Sequence, residues 1–276
     1  MFKESRDAFG YFCWKRFVRL YVPTYLITLF YFIIGYYRLS DYSSLRRVFR
    51  LLIWPTKFWF VSAVFVFSIV LFFIAKTGFL KKPYRFAIYT IVWWGICLLV
   101  YCIGIPNKNM MIENVKIAGT SIHFRCLYSF YMYTLGYYLR VIDGKWADRK
   151  DDWLFWCAFV ISLFTLYGFK MVLKTYPSYM RFQLLCQAIT TICVASLFIA
   201  LKKRFRIHSL QAKRVITSLS TITLELYLVQ MAIIKAIATT DIAFPINYLA
   251  ATVLILLSSY GFHFINNTVC NMILKH

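Results

Sequence analysis

Residues 15–25 read KRFVRLYVPTY, in which three cations lead into an apolar stretch that contains a proline. Residues three and four apart share one face of a helix, so Arg16, Arg19 and Pro23 lie within about 60° of one another. Arginines at such a place commonly anchor a membrane entrance and extend toward the lipid headgroups. A guanidinium also keeps its charge and can fork onto a phosphate or a carboxylate. The stretch therefore predicts a helix that enters a membrane with arginines available to bind an anion.

The composition of the chain is that of a membrane protein. Of its 276 residues, 61% are hydrophobic and only 15% are charged, whereas soluble domains are about one quarter charged. The formal net charge is +22, which in a soluble protein would suggest nucleic-acid binding. Here the cations lie between apolar runs, as membrane insertion requires, so we expect a lipid bilayer and no nucleic acid as partner.

The apolar runs predict an all-α polytopic membrane protein, a bundle of about eight transmembrane helices. A span needs about 20 apolar residues. The predicted spans are 17–37, 58–75, 86–105, 124–142, 153–173, 182–201, 216–238 and 245–265. Since all the loops are short and contain no linker-like segment, we expect one integral-membrane domain over residues 1–276.

The loop charges predict the orientation. Seventeen lysines and arginines fall on one side of the membrane and nine on the other. The first side comprises residues 3–16, 76–85, 145–150 and 202–214, and the second comprises 38–57, 108–116 and 174–181. The positive-inside rule then places both termini in the cytoplasm, in a multi-pass protein of the cytoplasmic membrane.

One face of the seventh predicted span is polar. Ser220, Thr223, Tyr227 and Gln230 lie within about 80° on a helical wheel, and Glu225 points roughly the opposite way. The stripe is equally consistent with hydrogen bonds between helices and with the lining of a substrate route. Glu225 needs its own partner, for which a basic group on a neighbouring helix is one possibility.

No motif of a soluble enzyme, such as a phosphate-binding loop or a zinc-binding helix, occurs in the sequence. We predict no metal site and no tightly bound cofactor. Of the four histidines, only His123 is a candidate proton acceptor. His263 reads as an interfacial residue at the end of the last span.

Four segments together resemble the family-three membrane acyltransferases. KRFVRLYVPTYL at 15–26 is similar to the basic third span of that family, and KFWFVSAVFVFSIVLF at 57–72 to its Trp-Phe-Leu-Ser segment, with Trp59 and Ser62 on one helical face. FYMYTLGYYL at 130–139 resembles its Phe-x-x-Gly span. SLSTITLELYLVQ at 218–230 resembles its Ser-Leu-x-x-Tyr-Leu-x-His segment, with Gln230 in the place of the histidine. The segments occur in the family's order and cover nearly the whole chain.

The resemblance implies a membrane-bound O-acyltransferase. Such enzymes move an acyl group, often acetyl, from acyl-CoA to hydroxyls of a cell-surface polysaccharide or its lipid-linked precursor. By this resemblance Lys15, Arg16 and Arg19 would bind the phosphates of the acyl donor. Trp59, Ser62, Ser220, Thr223, Tyr227 and Gln230 would line the substrate channel.

The chain also departs from the family pattern. The resemblance implies that the family's first two spans, which contain its catalytic histidine, are missing. We therefore assign no catalytic residue and expect this chain to be a truncated form, active or inactive. The alternative function is an exporter or flippase of polysaccharides or lipid-linked sugars. That class predicts more spans and internal symmetry.

Overall fold

The computed structural model describes residues 7–38, 44, 47–48, 58–105, 116–117, 123–141, 152–208, 217–219, 221–240 and 246–275. Every named element within these ranges is helical, which confirms the all-α prediction. The α-helices are α1 (Asp7–Ile33), α2 (Trp59–Lys76), α3 (Pro83–Gly104), α4 (Phe124–Val141), α5 (Asp152–Thr175), α6 (Gln183–His208), α7 (Thr223–Ala238) and α8 (Ile246–Lys275). Short 3-10 helices at Phe79–Lys81 and Pro177–Phe182 precede α3 and α6.

Five of these helices are long and apolar enough to cross a membrane: α2, α3, α5, α6 and α8. The structure thus supports a multi-pass membrane protein, but it does not confirm the predicted count of about eight spans. Three predicted spans correspond to α1, α4 and α7. Charged residues dilute α1 and α4, and α7 has only 16 residues, fewer than the roughly 20 that a bilayer requires.

The helix ends follow from local residue chemistry. Gly35 and Gly78 have φ angles of 72° and 65°, the left-handed conformation in which a glycine commonly terminates a helix. Gly35 ends α1, and Gly78 follows α2. Pro83 begins α3, where its missing N–H costs no helical hydrogen bond.

The chain divides into two compact units, one formed by Met1–Ile69 and Arg214–His276 and the other by Val70–Lys213. No observation here tests the prediction of one domain over residues 1–276. The first unit contains α1, α7 and α8 together with the start of α2. Its buried cluster joins Tyr21 and Tyr31 of α1 to Val61 of α2 and Leu228 of α7. The Tyr31 hydroxyl donates a 2.9 Å hydrogen bond to the Leu228 carbonyl, so α1 and α7 are held together by a polar contact as well as by packing.

The second unit contains the rest of α2 and helices α3 to α6. Aromatic contacts join α3 to α4: the rings of Phe86 and Tyr138 stack with their centroids 3.6 Å apart. The hydroxyls of Tyr89 and Thr134 lie 2.9 Å apart, which ties the same two helices by a hydrogen bond. Large apolar side chains such as Phe164, 74% exposed, point outward, as expected for helices whose solvent is lipid.

Candidate active site

Glu225 is a buried carboxylate in the first turn of α7. The residue is only 2% exposed. A negative charge is favoured near a helix N-terminus, because the backbone N–H groups there carry a partial positive charge. Burial nevertheless disfavours a carboxylate strongly unless hydrogen bonds replace its water. The surroundings of Glu225 must therefore supply donors.

The donors come from α8. The His263 Nδ1 atom lies 2.9 Å from Glu225 Oε1, and Asn266 Nδ2 donates to the same oxygen at 2.7 Å. His263 and Asn266 are three residues apart, so they share one face of α8. Asn266 is buried, whereas the side chain of His263 is 29% exposed. The imidazole thus has one nitrogen on the carboxylate while part of the ring remains accessible.

The second carboxylate oxygen is not paired in the same way. Among the described residues, Glu225 Oε2 is buried and has no hydrogen-bond partner. Leaving a buried acceptor unsatisfied costs about 1–3 kcal/mol, and more for a charged group. Such groups are rare in folded proteins and are found at sites of function or strain.

The polar contacts continue from α8 to α1. The Cys270 Sγ atom lies 3.3 Å from Asn266 Oδ1 and 3.8 Å from the Val18 carbonyl oxygen, and the thiol can donate to either. Arg19 follows Val18 directly. The cationic stretch of α1 therefore packs on α8 within about two helical turns of the residues that bind Glu225.

The three predicted phosphate-binding cations lie on this part of α1. Lys15 Nζ is 5.7 Å from the centre of the Tyr11 ring, and Arg16 Cζ is 5.7 Å from the centre of the Phe12 ring. Each ring comes four residues before its cation, one helical turn away. The side chain of Arg19 is exposed. No observation tests phosphate binding by these residues, which stays a prediction.

Of the predicted channel residues on α2, Ser62 is enclosed and Trp59 is half-buried. The Tyr21 hydroxyl donates to Ser62 Oγ at 3.4 Å, so the serine connects α2 to α1. The Trp59 ring meets Phe60 edge to face, with the centroids 5.9 Å apart.

The residues predicted on the polar stripe of the seventh span are placed differently from one another. Tyr227 packs its ring against Phe58 and Phe60 of the α2 segment, at centroid distances of 6.4 and 5.2 Å. Gln230 is half-buried, and Thr223 is exposed, with its hydroxyl donating to the Leu219 carbonyl at 3.1 Å. Ser220 lies outside the described residues. A channel-lining role for these residues stays a prediction, as it does for Trp59 and Ser62.

Sequence reasoning identified Glu225 as a residue in need of a partner but did not identify the partner. The structure supplies His263, which the sequence had suggested to be interfacial, together with Asn266. The sequence contains one indication of these partners. The spacing of His263, Asn266 and Cys270 places three polar side chains on one face of an apolar helix.

His123, the histidine that the sequence favoured, lies in the other compact unit. It precedes α4 and pairs with Lys116 in an isolated β-bridge. Burial and the charges of Arg125 and Lys116 lower the pKa of His123. These surroundings therefore disfavour the protonated imidazole of His123. The causes of the shift are burial and two cations, not a carboxylate that could orient the ring. In the described parts of the chain, no cluster of three or more His, Cys, Asp or Glu residues could hold a metal ion.

Comparison with known proteins adds one match. The model of a family described as an acyltransferase domain matches residues 2–264 of the chain. No curated protein and no solved structure matches it.

Proposed function

We infer that this chain, which belongs to acyltransferase family 3, moves an acyl group from acyl-CoA to hydroxyl groups of a cell-surface polysaccharide or its lipid-linked precursor. Membership of the family makes the protein a membrane acyltransferase. Acetyl-CoA as donor, a glycan as acceptor and O-acylation as the reaction are our proposal. The observation that carries it is the family match, which covers residues 2–264.

The cationic stretch of α1 supports acyl-CoA as the donor. CoA carries a pyrophosphate and a further phosphate, and arginine binds such groups with paired, charge-assisted hydrogen bonds. Arg19 is exposed and Arg16 is half-buried, so both guanidiniums can reach a ligand outside the helix packing. Lys15 adds a third positive charge one residue before Arg16.

We further propose that the protein lies in the cytoplasmic membrane with both termini in the cytoplasm. The excess of lysine and arginine in the loops predicted on that side supports this orientation. It would place Lys15, Arg16 and Arg19 on the side of the membrane where acyl-CoA is made and used.

The test is acetyl transfer by membranes that contain the full chain with Arg16→Gln and Arg19→Gln. Radiolabelled acetyl-CoA is supplied, and the label in the glycan fraction is measured. Because a hydrogen bond to a charged group contributes about 1.5–3 kcal/mol, we expect each substitution to lower transfer by about 10- to 100-fold. The amount of protein inserted in the membrane should not change.

Lys235→Gln is the matched control, since Lys235 is a cation of the same unit that lies over the Tyr36 ring, at 5.2 Å. It should leave transfer unchanged. If both arginine variants acetylate glycan at the wild-type rate, phosphate binding by α1 is wrong. If wild-type membranes translocate glycan without consuming acetyl-CoA, the enzyme proposal itself is wrong.

A further inference from the structure

We propose that His263, oriented by the Glu225 carboxylate, is the proton acceptor for the hydroxyl that attacks the acyl thioester. This inference rests on the proposed function, since it names the base of that reaction. His263 would be a catalytic residue, and Glu225 a positioning residue that acts through it.

The hydrogen-bond geometry places Nδ1 of His263 against Glu225 and leaves Nε2 for the reaction. Glu225 Oε1 accepts from Asn266 Nδ2 and lies within hydrogen-bond distance of His263 Nδ1. In the tautomer with its proton on Nδ1, His263 donates to this oxygen, 2.9 Å away. Nε2 then carries the lone pair, on an imidazole that is 29% exposed. A base oriented by a carboxylate on its other nitrogen is the recurring arrangement of acyl-transfer enzymes.

The carboxyl group of Glu225 argues against a purely structural role for this contact. A glutamine in its place could still accept from Asn266 and hold α7 against α8 without a buried charge. The carboxylate instead remains with Oε2 buried and, within the described part of the chain, unpartnered. A negative charge next to Nδ1 is useful when the imidazole takes up a proton, because it stabilises the imidazolium that forms.

His263 lies on the same helix as the residue through which α8 contacts the cationic stretch of α1. Seven residues separate His263 from Cys270, which is roughly 10 Å along α8. Cys270 contacts the Val18 carbonyl, next to Arg19. The pantetheine arm of CoA likewise separates the phosphates from the acyl carbonyl, so a donor bound by α1 could present its thioester near His263.

The step balances without any further reactant. The acceptor oxygen attacks the thioester carbonyl carbon while its proton passes to His263 Nε2. The new C–O bond forms, the C–S bond breaks with its electron pair going to sulfur, and the imidazolium returns the proton to the CoA thiolate. An ester and free CoA are released, and His263 is neutral again.

His263→Asn is the sharpest test, because the asparagine amide can replace Nδ1–H in the hydrogen bond to Glu225 but cannot act as a base. The full chain is reconstituted in lipid nanodiscs, and transfer of radiolabelled acetyl from acetyl-CoA to purified cell-envelope glycan is measured. Loss of a general base lowers turnover by about 10²- to 10⁴-fold. We expect that loss in kcat, with an unchanged KM for acetyl-CoA and an unchanged thermal unfolding midpoint.

Two further variants separate catalysis from packing. His263→Ala should regain transfer when imidazole is added, whereas a structural defect would not respond. Glu225→Gln should lower kcat while leaving the KM for acetyl-CoA unchanged. Asn267→Asp is the control on the adjacent, exposed position of α8 and should transfer like the wild type.

The outcomes distinguish this inference from the proposed function. If the wild type transfers acetyl and His263→Asn does so equally well, His263 is not the base, and the proposed function stands. If the wild type in nanodiscs transfers no acetyl to glycan, the proposed function is overturned, and this inference with it.

Discussion

Tyr31 shows how a single polar atom can join distant parts of this chain. Its ring is buried in α1, and its hydroxyl donates to the carbonyl of Leu228, 197 residues later. The contact is a polar link within the otherwise apolar cluster of α1, α2 and α7. Between helices, such a hydrogen bond fixes the rotation of one helix against another more than it adds energy.

Tyr31→Phe removes this hydroxyl and keeps the ring. We expect the free energy of unfolding to fall by about 0.5–1.5 kcal/mol, the usual net value of one hydrogen bond. Unfolding in mixed micelles titrated with dodecyl sulfate measures the change. The control is Tyr248→Phe at an exposed position, and an equal loss in both variants would contradict the role of the contact.

His123 predicts a pH dependence of stability. Burial and the neighbouring cations lower its pKa in the folded protein below the ordinary value of 6.5. Between the two pKa values the unfolded chain binds more protons than the folded chain, so stability falls as the pH drops below about 6.5. His123→Gln should reduce this loss, and the terminal variant His276→Gln should not. Equal slopes in the wild type and His123→Gln, measured by thermal unfolding from pH 7 to pH 5, would contradict the prediction.

The sequence could predict that Glu225 required a partner, because an ionisable group in an apolar run must be paired. It could not predict His263 as that partner. The pairing depends on the rotation of α7 and α8 about their axes, which side-chain packing between the two helices determines. The same limit applies to Thr223, which shares the predicted polar stripe with Tyr227 but is exposed, whereas the Tyr227 ring packs against Phe58 and Phe60.

At the level of helices, the apolar runs predicted which segments are helical better than they predicted where the helices end. α1 begins at Asp7 and α8 continues to Lys275, beyond the predicted 17–37 and 245–265. Hydropathy predicts only the part of a helix that lies in the lipid. The helix itself continues for as long as its backbone i to i−4 hydrogen bonds continue. Polar residues such as Lys15 and Asn271 can therefore extend a helix past its apolar part.

The turn after α2 depends on the backbone of Gly78. With a φ angle of 65°, any other residue there is strained, so Gly78→Ala should lower the free energy of unfolding by about 1 kcal/mol. The cause is conformational, since the added methyl group would meet only the flexible Lys81 side chain, with Cδ at 3.7 Å and Cε at 3.9 Å. Unfolding in detergent measures the change.

Gly95→Ala provides the opposite case within α3. No neighbouring atom lies within 4 Å of the added methyl group, and alanine favours helix, so stability should rise by about 0.5–1 kcal/mol. If both alanine variants shift stability in the same direction, the backbone explanation for Gly78 fails.

For the whole molecule, the number of times that the chain crosses the membrane decides whether its two termini lie on the same side. Eight crossings would leave the two termini on the same side of the membrane, whereas crossing by the five most apolar helices alone would leave them on opposite sides. We predict that both termini are cytoplasmic. The sequence could give this prediction through loop charge, but length and composition do not determine whether α1, α4 and α7 cross.

A single cysteine placed at each end of a cysteine-free chain tests this prediction. In sealed, right-side-out membrane vesicles, a membrane-impermeant maleimide should label neither terminus until the vesicles are opened. A third cysteine in the 38–57 segment, predicted on the opposite face, should be labelled at once and serves as the control. Labelling of one terminus only in sealed vesicles would mean an odd number of crossings.

The pairing of Glu225 with His263 also affects how the chain enters the membrane during synthesis. The carboxylate leaves the ribosome 38 residues before its histidine. Until then α7 is a short helix with an uncompensated acidic group, which the insertion machinery accepts poorly. The last two helices are therefore expected to enter the bilayer together as a hairpin. A nascent chain that stops before residue 263 should retain α7 at the translocon or release it to the aqueous side.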